Sequence, residues 1–450
     1  MNRPEVLIIG SGLAGLSSGL ELALQGKSVL LVEAKGHVGG RTASWDQEGM
    51  LVESGLHRFL GFYSALPALL KKAGINPNDI LIWEDEIEIR TPDGGPTAVF
   101  GAAPLFRPWQ TIRGALGNNH MFSPLDKLTL ARFLLAGLRD YYLRPADLDK
   151  QTAFEYAQKH GLSERATERF LFSVTTGTFF LSYERYSAYD LFGLLGPYLH
   201  RVFKFRVGAF AGGMTEVMCD PIARAIETRG GVVRRDAEVS DLLVEKGVVK
   251  GTVVAGKEVA ANQVILAASF GPAQDLLRPH VATHSWFQPM LSLATMPAVT
   301  VQMELDEPSM VIDHTTFGPG TILASFSEQS RTTFRHVPGR LSVIIGSPEA
   351  WIGKSSDEIV SQALQDAQRL GLNVEGKVRQ YRVIAEPRDF YSLTPGSEAL
   401  RPSQQTPIPG LTLAGDYTKQ PYLATMEGAV VSGKLAAKAV AGVVSKAILC

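Results

Sequence analysis

The chain has 450 residues, of which 45% are hydrophobic and 20% charged, a composition typical of a folded protein with about two or three domains. Its formal net charge of −1 excludes the basic footprint of a nucleic-acid-binding protein. Its two cysteines, Cys219 and Cys450, have no zinc or disulfide spacing, so we expect no metal site, and no apolar run reaches the roughly 18 residues of a membrane-spanning helix.

The first predicted elements form a dinucleotide-binding βαβ unit. Residues 6–9 are apolar, as in a buried parallel strand, and a glycine-rich turn and a helix follow them. In such a turn one glycine permits the tight bend, one lets backbone amides approach a pyrophosphate, and one lets the helix pack closely. These glycines are Gly10, Gly12 and Gly15, in that order. A second strand over residues 28–32 ends at Glu33, at about the spacing of the acid that binds a ribose hydroxyl, so the sequence predicts FAD or NAD.

The middle of the chain alternates between strand-rich and helical regions. After a helix over residues 64–74 we predict strands over 80–100, a very apolar helical region over 123–199, a helix over 216–229, strands over 232–244, 247–254 and 263–269, and a helix over 356–370. The strand over 263–269 is apolar enough to be buried, and we expect it to return to the nucleotide-binding sheet.

A second glycine-rich segment lies near the end of the chain. A strand from residue 411 leads to Gly415 and Asp416, and a helix of small residues begins after Ala424 and includes Met426. Its amides would lie near the pyrimidine edge of a flavin, and Asp416 would accept from a ribityl hydroxyl or orient the phosphate region. The alternative is an ordinary packing helix made of small residues.

These segments carry a family resemblance that spans nearly the whole chain. Residues 395–429 resemble the C-terminal signature of plant and cyanobacterial phytoene desaturases, carotenoid desaturases among the FAD-dependent amine-oxidase-like flavoproteins, and zeta-carotene desaturases share much of it. Residues 55–63 resemble that family's Gly-Leu-His stretch, and residues 39–41 resemble the extension that follows the ribose acid in glutathione-reductase-like FAD proteins.

The resemblance implies an α/β fold with three parts. A glutathione-reductase-like Rossmann FAD-binding domain would comprise residues 1–75, 212–270 and 395–445. A mixed-sheet substrate domain would comprise residues 76–122 and 271–394, and a helical cap that faces the membrane would comprise residues 123–211.

The resemblance also implies which residues bind FAD and substrate. The FAD contacts would be Ala14, Glu33, Ala34, Gly40, Arg41, His57, Arg58, Tyr63, Val239, Gly415, Asp416 and Met426. Ala424 would lie at the substrate pocket. Arg201 would have a catalytic and substrate-binding role, in which it hydrogen-bonds a quinone or stabilises developing charge. The alternative for Arg201 is a surface or ion-pair arginine, because the sequence before it departs from the family pattern.

The partners implied are lipids. A long-chain, phytoene-like isoprenoid would lose a hydride to FAD and a proton to a weak base or water, and a membrane quinone would take the electrons. Aromatic residues interleaved with basic ones would dock the protein on one leaflet; they are Phe170, Phe172, Phe179, Phe180, Tyr183, Tyr186 and Phe192. The alternative is a buried helical cap with core aromatics. Because the first strand begins at once, we expect no signal peptide and a protein on the cytoplasmic face of a membrane.

Other functions remain open on the same scaffold. They are a different FAD isoprenoid oxidoreductase, such as a hydroxysqualene dehydroxylase or a carotenoid isomerase, an amine oxidase, and a flavoprotein scaffold without catalysis. An amine oxidase would need an aromatic cage, for which Tyr417 and Tyr422 are candidates. Residues 39–41 also depart from the family, since many phytoene desaturases have a lysine there.

Overall fold

The computed structural model describes residues 3–442, so Cys450 and the last three residues of the predicted 395–445 range lie outside the described residues. The strands are β1 (Val6–Ile9), β2 (Val29–Val32), β3 (Ser44–Gln47), β4 (Met50–Glu53), β5 (Phe59–Leu60), β6 (Leu81–Trp83), β7 (Glu86–Arg90), β8 (Thr97–Gly101), β9 (Val207–Phe210), β10 (Val232–Arg234), β11 (Val239–Glu245), β12 (Val248–Val254), β13 (Lys257–Ala260), β14 (Gln263–Leu266), β15 (Thr295–Leu305), β16 (Thr315–Phe317), β17 (Leu323–Glu328), β18 (Gly339–Ile345), β19 (Val378–Tyr391) and β20 (Leu411–Leu413).

The α-helices are α1 (Leu13–Ala23), α2 (Ala65–Lys72), α3 (Pro77–Ile80), α4 (Pro108–Leu116), α5 (Pro124–Leu143), α6 (Pro145–Leu148), α7 (Ala153–Lys159), α8 (Glu164–Ala166), α9 (Phe172–Val174), α10 (Thr176–Phe179), α11 (Ala188–Gly193), α12 (Asp220–Glu227), α13 (Phe270–Val281), α14 (Gln288–Ser292), α15 (Ser356–Arg369), α16 (Ser397–Leu400) and α17 (Met426–Val440). Short 3-10 or π helices cover Gly40–Thr42, Thr167–Leu171, Gly196–Lys204, Thr215–Cys219 and Pro348–Ala350.

A five-stranded parallel sheet collects strands from distant parts of the chain, in the order β10-β2-β1-β14-β20. Every residue of β1 and β2 is buried, which explains why both strands are continuously apolar. The predicted return of residues 263–269 to this sheet is confirmed, because β14 pairs with β1. Since β20 pairs with β14 in turn, the end of the chain lies in the same sheet as its start.

Helices α1 and α17 pack against each other beside this sheet. The hydroxyl of Ser17 on α1 donates to the carbonyl of Val430 on α17 at 2.9 Å. A Cβ at Gly433 would lie 2.2 Å from the carbonyl oxygen of Ala14, so only glycine permits this approach. The small residues of α17 therefore bring the last helix directly onto the helix that follows the first glycine-rich turn.

A second, seven-stranded sheet has the order β19-β15-β18-β17-β16-β7-β8. Only β16 and β7 pair in parallel; the other neighbours are antiparallel. The predicted helix over residues 356–370 is confirmed as α15, which begins with a capping box between Ser355 and Glu358. The sheet therefore draws on residues before and after the helical region, since β7 and β8 precede that region and β15–β19 follow it.

The predicted helical region over residues 123–199 is confirmed, since it contains α5 to α11, but most of its aromatic side chains face inward. Phe179, Phe180, Tyr186 and Phe192 are buried, Phe170 and Tyr183 are partly buried against the same core, and Phe172 is partly exposed. The prediction that these rings enter a bilayer is therefore wrong for the four buried ones, whose apolar surface packs the helices together. For the three partly buried rings it stays a prediction. Among residues 3–442, no helix is both long and apolar enough to cross a membrane.

Candidate cofactor site

A cavity of 780 Å³ lies at the carboxyl ends of β1 and β2 and brings the two glycine-rich segments together. Its wall also includes residues that follow β14 and residues within the last part of β19. Most of the predicted site residues line it: Gly10, Gly12, Ala14, Glu33, Ala34, Gly40, Arg41, His57, Val239, Gly415, Asp416, Ala424 and Met426. A ligand in this cavity would therefore touch both ends of the chain.

The first three glycines have different structural roles. Gly10 has φ +98°, and a Cβ there would lie 2.8 Å from the carbonyl oxygen of Ala267. Gly15 lies outside the cavity wall, where a Cβ would lie 1.9 Å from the carbonyl oxygen of Gly10. A Cβ at Gly12 would instead meet nothing within 4 Å in the described chain. Gly12 thus keeps open a space in the cavity, while the other two permit the fold.

The first turn of α1 offers its amides to this space. Gly12 is the N-cap residue, and no side chain of the described chain caps the helix there. The free amides at a helix start bind anions well, because they combine hydrogen-bond donors with the positive end of the helix dipole. A pyrophosphate is the group that fits such a turn beside a cavity of this size.

The carboxylate of Glu33 is fixed at the end of β2. One of its oxygens accepts from the amide and the hydroxyl of Ser11, at 2.9 and 2.6 Å, and the other accepts from the amide of Lys35 at 3.0 Å. It therefore stands next to the glycine-rich turn, where an acid binds the ribose of a dinucleotide.

An ion pair joins the two ends of the chain in the cavity wall. The Arg41 guanidinium lies 2.5 Å from the Asp416 carboxylate, 375 residues away, and its other side faces the ring of Phe390 at 4.6 Å. Burial opposes the charged form of Arg41, but Asp416 and Asp389 outweigh it, so its pKa is raised. Arg41 is therefore a fixed cation in the cavity and no proton donor.

Arg401, which the sequence analysis did not single out, holds the loop that carries Asp416. Its side chain is buried and donates to the carbonyl oxygens of Asp416, Tyr417 and Thr418, at 3.1, 3.3 and 2.5 Å. It is also paired with the carboxylate of Glu398 at 2.5 Å. Five donors on a planar group suit such a set of carbonyls, so Arg401 positions Asp416 through the backbone.

Glu427 is a second residue that the sequence analysis missed. It is fully buried in the first turn of α17, and its carboxylate caps α2. One oxygen accepts from the amide and hydroxyl of Ser64 and from the amide of Ala65, at 2.7 to 2.9 Å, and the other accepts from the amide of Leu66 at 2.8 Å. An acid next to Met426 was visible in the sequence, but its partner could be found only from the fold.

His57 faces the cavity as a neutral imidazole. Burial and the neighbouring charges of Arg41 and Arg58 lower the pKa of His57 to about 4. Its Nδ1 is buried and has no hydrogen-bond partner within residues 3–442. An orphaned polar atom in a cavity wall indicates a hydrogen bond to a bound group, and a flavin offers both donors and acceptors along its edge.

Besides Gly15, three predicted residues lie away from the cavity wall. Arg58 pairs with Glu84 at 3.1 Å, and the ring of Tyr63 packs against Phe59 and Phe62. Arg201 donates to the carbonyl oxygen of Tyr63 at 3.1 Å, behind this aromatic cluster. Their roles toward FAD, substrate or quinone stay predictions.

The candidate aromatic cage of an amine oxidase is not assembled at this cavity. The ring of Tyr417 is buried against Phe270, with 5.2 Å between ring centroids, and Tyr422 stacks on Tyr198 at 4.9 Å. Neither tyrosine belongs to the cavity wall. Both rings are engaged in packing within the described chain.

Together, a parallel sheet, a free helix start, a ribose-binding acid and an orphaned imidazole fit FAD and define a dinucleotide-binding flavoprotein. Comparison with known families agrees. Residues 13–441 match the family of flavin-containing amine oxidoreductases, so the chain belongs to this family and is an oxidoreductase; with its dinucleotide site, the flavin cofactor is FAD.

Individual relatives cover nearly the whole chain. It is 30% identical to a 15-cis-phytoene desaturase of Solanum lycopersicum, over 97% of this chain and 77% of the relative. It is 28% identical to the 15-cis-phytoene desaturase of Synechococcus elongatus, over 97% and 95%, and 28% identical to a probable zeta-carotene desaturase of that organism, over 96% and 98%.

Solved structures confirm the predicted α/β fold. A putrescine oxidase superposes with a TM-score of 0.74 at 18% identity, covering 98% of this chain and 99% of its own. A cyclohexylamine oxidase from Brevibacterium oxydans superposes with a TM-score of 0.71 at 18% identity, over the same shares. At such identities the likeness concerns the fold alone.

Proposed function

We propose that this chain is an FAD-dependent desaturase of a long isoprenoid of the phytoene type. The observation that carries the proposal is the extent of the similarity to phytoene desaturases, which reaches over 97% of the chain and so includes both ends that build the cavity. The absence of Tyr417 and Tyr422 from the wall of that cavity removes the cage on which the amine oxidase alternative depended.

The reaction needs little acid–base catalysis from the protein. FAD, when bound, would accept a hydride from an unactivated C–H bond, and the neighbouring carbon would lose its proton to a weak base or water. The chain's own residues must hold the cofactor and exclude water. Arg41 stays charged between Asp416 and Phe390, and His57 stays neutral near pH 7, so each can hydrogen-bond a flavin without exchanging a proton.

We assign the cavity residues to parts of FAD on the same basis. Gly12 and the start of α1 would bind the pyrophosphate, Glu33 the adenosine ribose, and the backbone at Val239 the adenine edge. Arg41, Asp416 and Met426 would lie toward the ribityl and flavin portion, and Ala424 toward the substrate. Arg201 lies outside the wall of this cavity, so its role toward a substrate or quinone stays a prediction.

The domain division and the partners belong to the same proposal. The ranges 1–75, 212–270 and 395–445 contain all the strands of the parallel sheet that are described, which supports a discontinuous FAD-binding domain. The seven-stranded sheet would hold the substrate, with residues 123–211 as the cap. The electron acceptor would be a membrane quinone, and the protein would work at the cytoplasmic face of a membrane, because substrate and acceptor are both lipids.

Expression in cells that accumulate phytoene tests the activity. We expect carotenoids with longer conjugated systems, and their loss in Asp416→Asn but not in Asp306→Asn, a matched change at an exposed aspartate. Unchanged phytoene beside a yellow, FAD-loaded protein would contradict the proposal. Bleaching of the bound flavin by putrescine or another amine would support an amine oxidase instead. Anaerobic mixing of the reduced holoprotein with a quinone tests the acceptor, and we expect the flavin absorbance to return.

A further inference from the structure

We propose that one face of the helical region docks on a bilayer that contains anionic lipids. This face, called here the cationic apolar face, is formed by residues 105–116, 125–143 and 199–203. The inference rests on the proposed function only in that a lipid-soluble substrate needs a lipid contact. It adds which surface makes that contact and which headgroup charge it selects.

Exposed apolar side chains are concentrated on this face. Of the seventeen large hydrophobic residues that are exposed in the described chain, twelve lie on it. Trp109 is 81% exposed, Leu116 72%, Leu135 71% and Phe203 70%. A monomeric soluble protein rarely leaves so many large apolar side chains together in water, so the face has a partner.

The segments that form the face join one another. The amide of Leu105 donates to the carbonyl oxygen of Phe203 at 3.2 Å, which links the start of the α4 region to the 3-10 helix Gly196–Lys204. The ammonium of Lys127 on α5 donates to the carbonyl oxygen of Leu116 at the end of α4, at 2.8 Å. The hydroxyl of Tyr142 donates to the carbonyl oxygen of Gly196 at 2.5 Å. These three contacts close a ring around one surface.

Helix α5 presents one amphipathic stripe along this surface. Its positions Leu125, Leu128, Arg132, Leu135, Arg139 and Tyr142 follow one another at spacings of three and four, which places them on one side of a helix. All six are exposed. Leucines with arginines on the outer side of a helix are the composition of a helix that lies in a membrane interface.

The charges of the face have one sign. Residues 104–144 and 196–206 contain nine lysines and arginines and two acids, although the whole chain is almost neutral. Both acids, Asp126 and Asp140, are buried; Asp126 accepts from Ser123 and pairs with Arg165, and Asp140 accepts from Tyr156 and pairs with Arg139, which leaves the other cations of the face without an acid from these two ranges. The charges that remain at the surface are therefore positive, which matches the negative surface of an anionic bilayer.

The same charges argue against a second copy of the chain as the occupant. Two such faces in contact would bring Arg113, Arg132 and Arg144 of one copy against their equivalents, and like charges across an interface are strongly unfavourable. A lipid surface has no such penalty and also accepts the apolar side chains between the arginines.

Flotation of the FAD-loaded protein with vesicles that hold no isoprenoid tests the inference. One set contains phosphatidylcholine alone and the other also contains phosphatidylglycerol. We expect much stronger binding to the anionic set and weaker binding in high salt. The triple variant Arg113→Gln, Arg132→Gln, Arg144→Gln should bind the anionic set roughly 100-fold more weakly, at about fivefold per cation.

A matched triple variant controls for the change in net charge. Lys246→Gln, Lys250→Gln and Lys257→Gln remove three exposed cations from β12, β13 and the turn before β12, away from the face, and should leave flotation unchanged. Equal binding to both vesicle sets, an equal loss in both triple variants, or a dimer in sedimentation that masks the face would overturn the inference. A protein that floats as expected but leaves phytoene unchanged would contradict the proposed function alone.

Discussion

Replacement of Glu427 by glutamine should weaken the contact between the two ends of the chain without removing a side chain from the cavity wall. Glu427 is buried, and its carboxylate accepts four hydrogen bonds from the first turn of α2. Glutamine has the same shape, and one oxygen can keep the three bonds from Ser64 and Ala65. The amide nitrogen of the glutamine would then face the backbone amide of Leu66. Both groups are donors, so the hydrogen bond from Leu66 would be lost.

The expected cost follows from these contacts. A buried donor left without its acceptor costs about 1–3 kcal/mol. Loss of a negative charge at a helix start costs up to about 2 kcal/mol in a buried setting. The free energy of unfolding should therefore fall by about 2–4 kcal/mol in total. For a chain of this length the entropy of unfolding makes each kcal/mol worth about 1 °C, so the melting midpoint should fall by about 2–4 °C.

Thermal unfolding followed by the release of fluorescent FAD measures this change. Glu358→Gln is the matched control, because Glu358 also caps a helix, α15, but is exposed; it should lower the midpoint by less than about 1 °C. Glu427→Ala, which leaves all four donors without an acceptor, should lower the midpoint further than Glu427→Gln. Equal midpoints for Glu427→Gln and Glu358→Gln would refute the role given to Glu427.

Three other changes test the site. Gly12→Ala should leave the melting midpoint of the FAD-free protein within about 1 °C of the wild type but abolish FAD content, because its Cβ enters only the cavity, whereas Gly10→Ala should prevent folding; FAD content and circular dichroism separate the two. Arg401→Lys should lower FAD content without touching the cavity, since an ammonium cannot span three carbonyls; normal FAD loading would contradict this. Burial raises the pKa of Glu53 to about 7, so the folded protein holds a proton that the unfolded chain loses above about pH 4.5, and stability from this group falls by about 3 kcal/mol as the pH rises to 7. Glu53→Gln should therefore gain stability relative to the wild type between pH 5 and pH 8, and parallel pH profiles of the two melting midpoints would contradict that sign.

The opposite shift at His57 explains why the wild type alone would hide this effect. The pKa of His57 is lowered to about 4, so the unfolded chain binds a proton below about pH 6.5 that the folded protein does not take up, and stability falls on acidification. The two slopes have opposite signs and nearly cancel between pH 4.5 and 6.5. Only a variant that removes one of the two groups shows the other.

Local patterns predicted the start of the fold well. Strand β1, the glycine turn, α1 and Glu33 all lie within residues 6–33, and the structure has all of them. The aromatic residues of the helical region were predicted to lie at the surface because their residue types show that the side chains are apolar but not which way they point. Phe192 lies in the core and Leu128 in water, and only the tertiary packing decides which side of a helix is covered.

The residues that the sequence analysis missed share a physical property. Arg401 and Glu427 bind backbone atoms, Arg401 at residues 416–418 and Glu427 at residues 64–66. A sequence motif can predict which residues contact a ligand. A side chain that binds the backbone of a distant segment cannot be predicted in this way, because any residue type in that segment offers the same backbone atoms. Such residues are found only when the fold is known, although both stand within or beside the distal segment.

This arrangement explains why the distal segment says more about function than the proximal one. The glycine turn at Gly10 is encoded by a short run of neighbouring residues, so it recurs in many dinucleotide-binding proteins. The distal segment must close the cavity across almost the whole chain, through the Arg41–Asp416 pair, the Ser17–Val430 bond and the Glu427 cap. Closing so long a loop costs little more entropy than closing a shorter one. Since FAD would touch both walls, its binding adds to the stability of that closure by linkage. Residues of the distal segment must contact the cofactor, the proximal segment and the substrate at once, so few residue types are possible at each position. The distal segment is therefore the more specific of the two motifs.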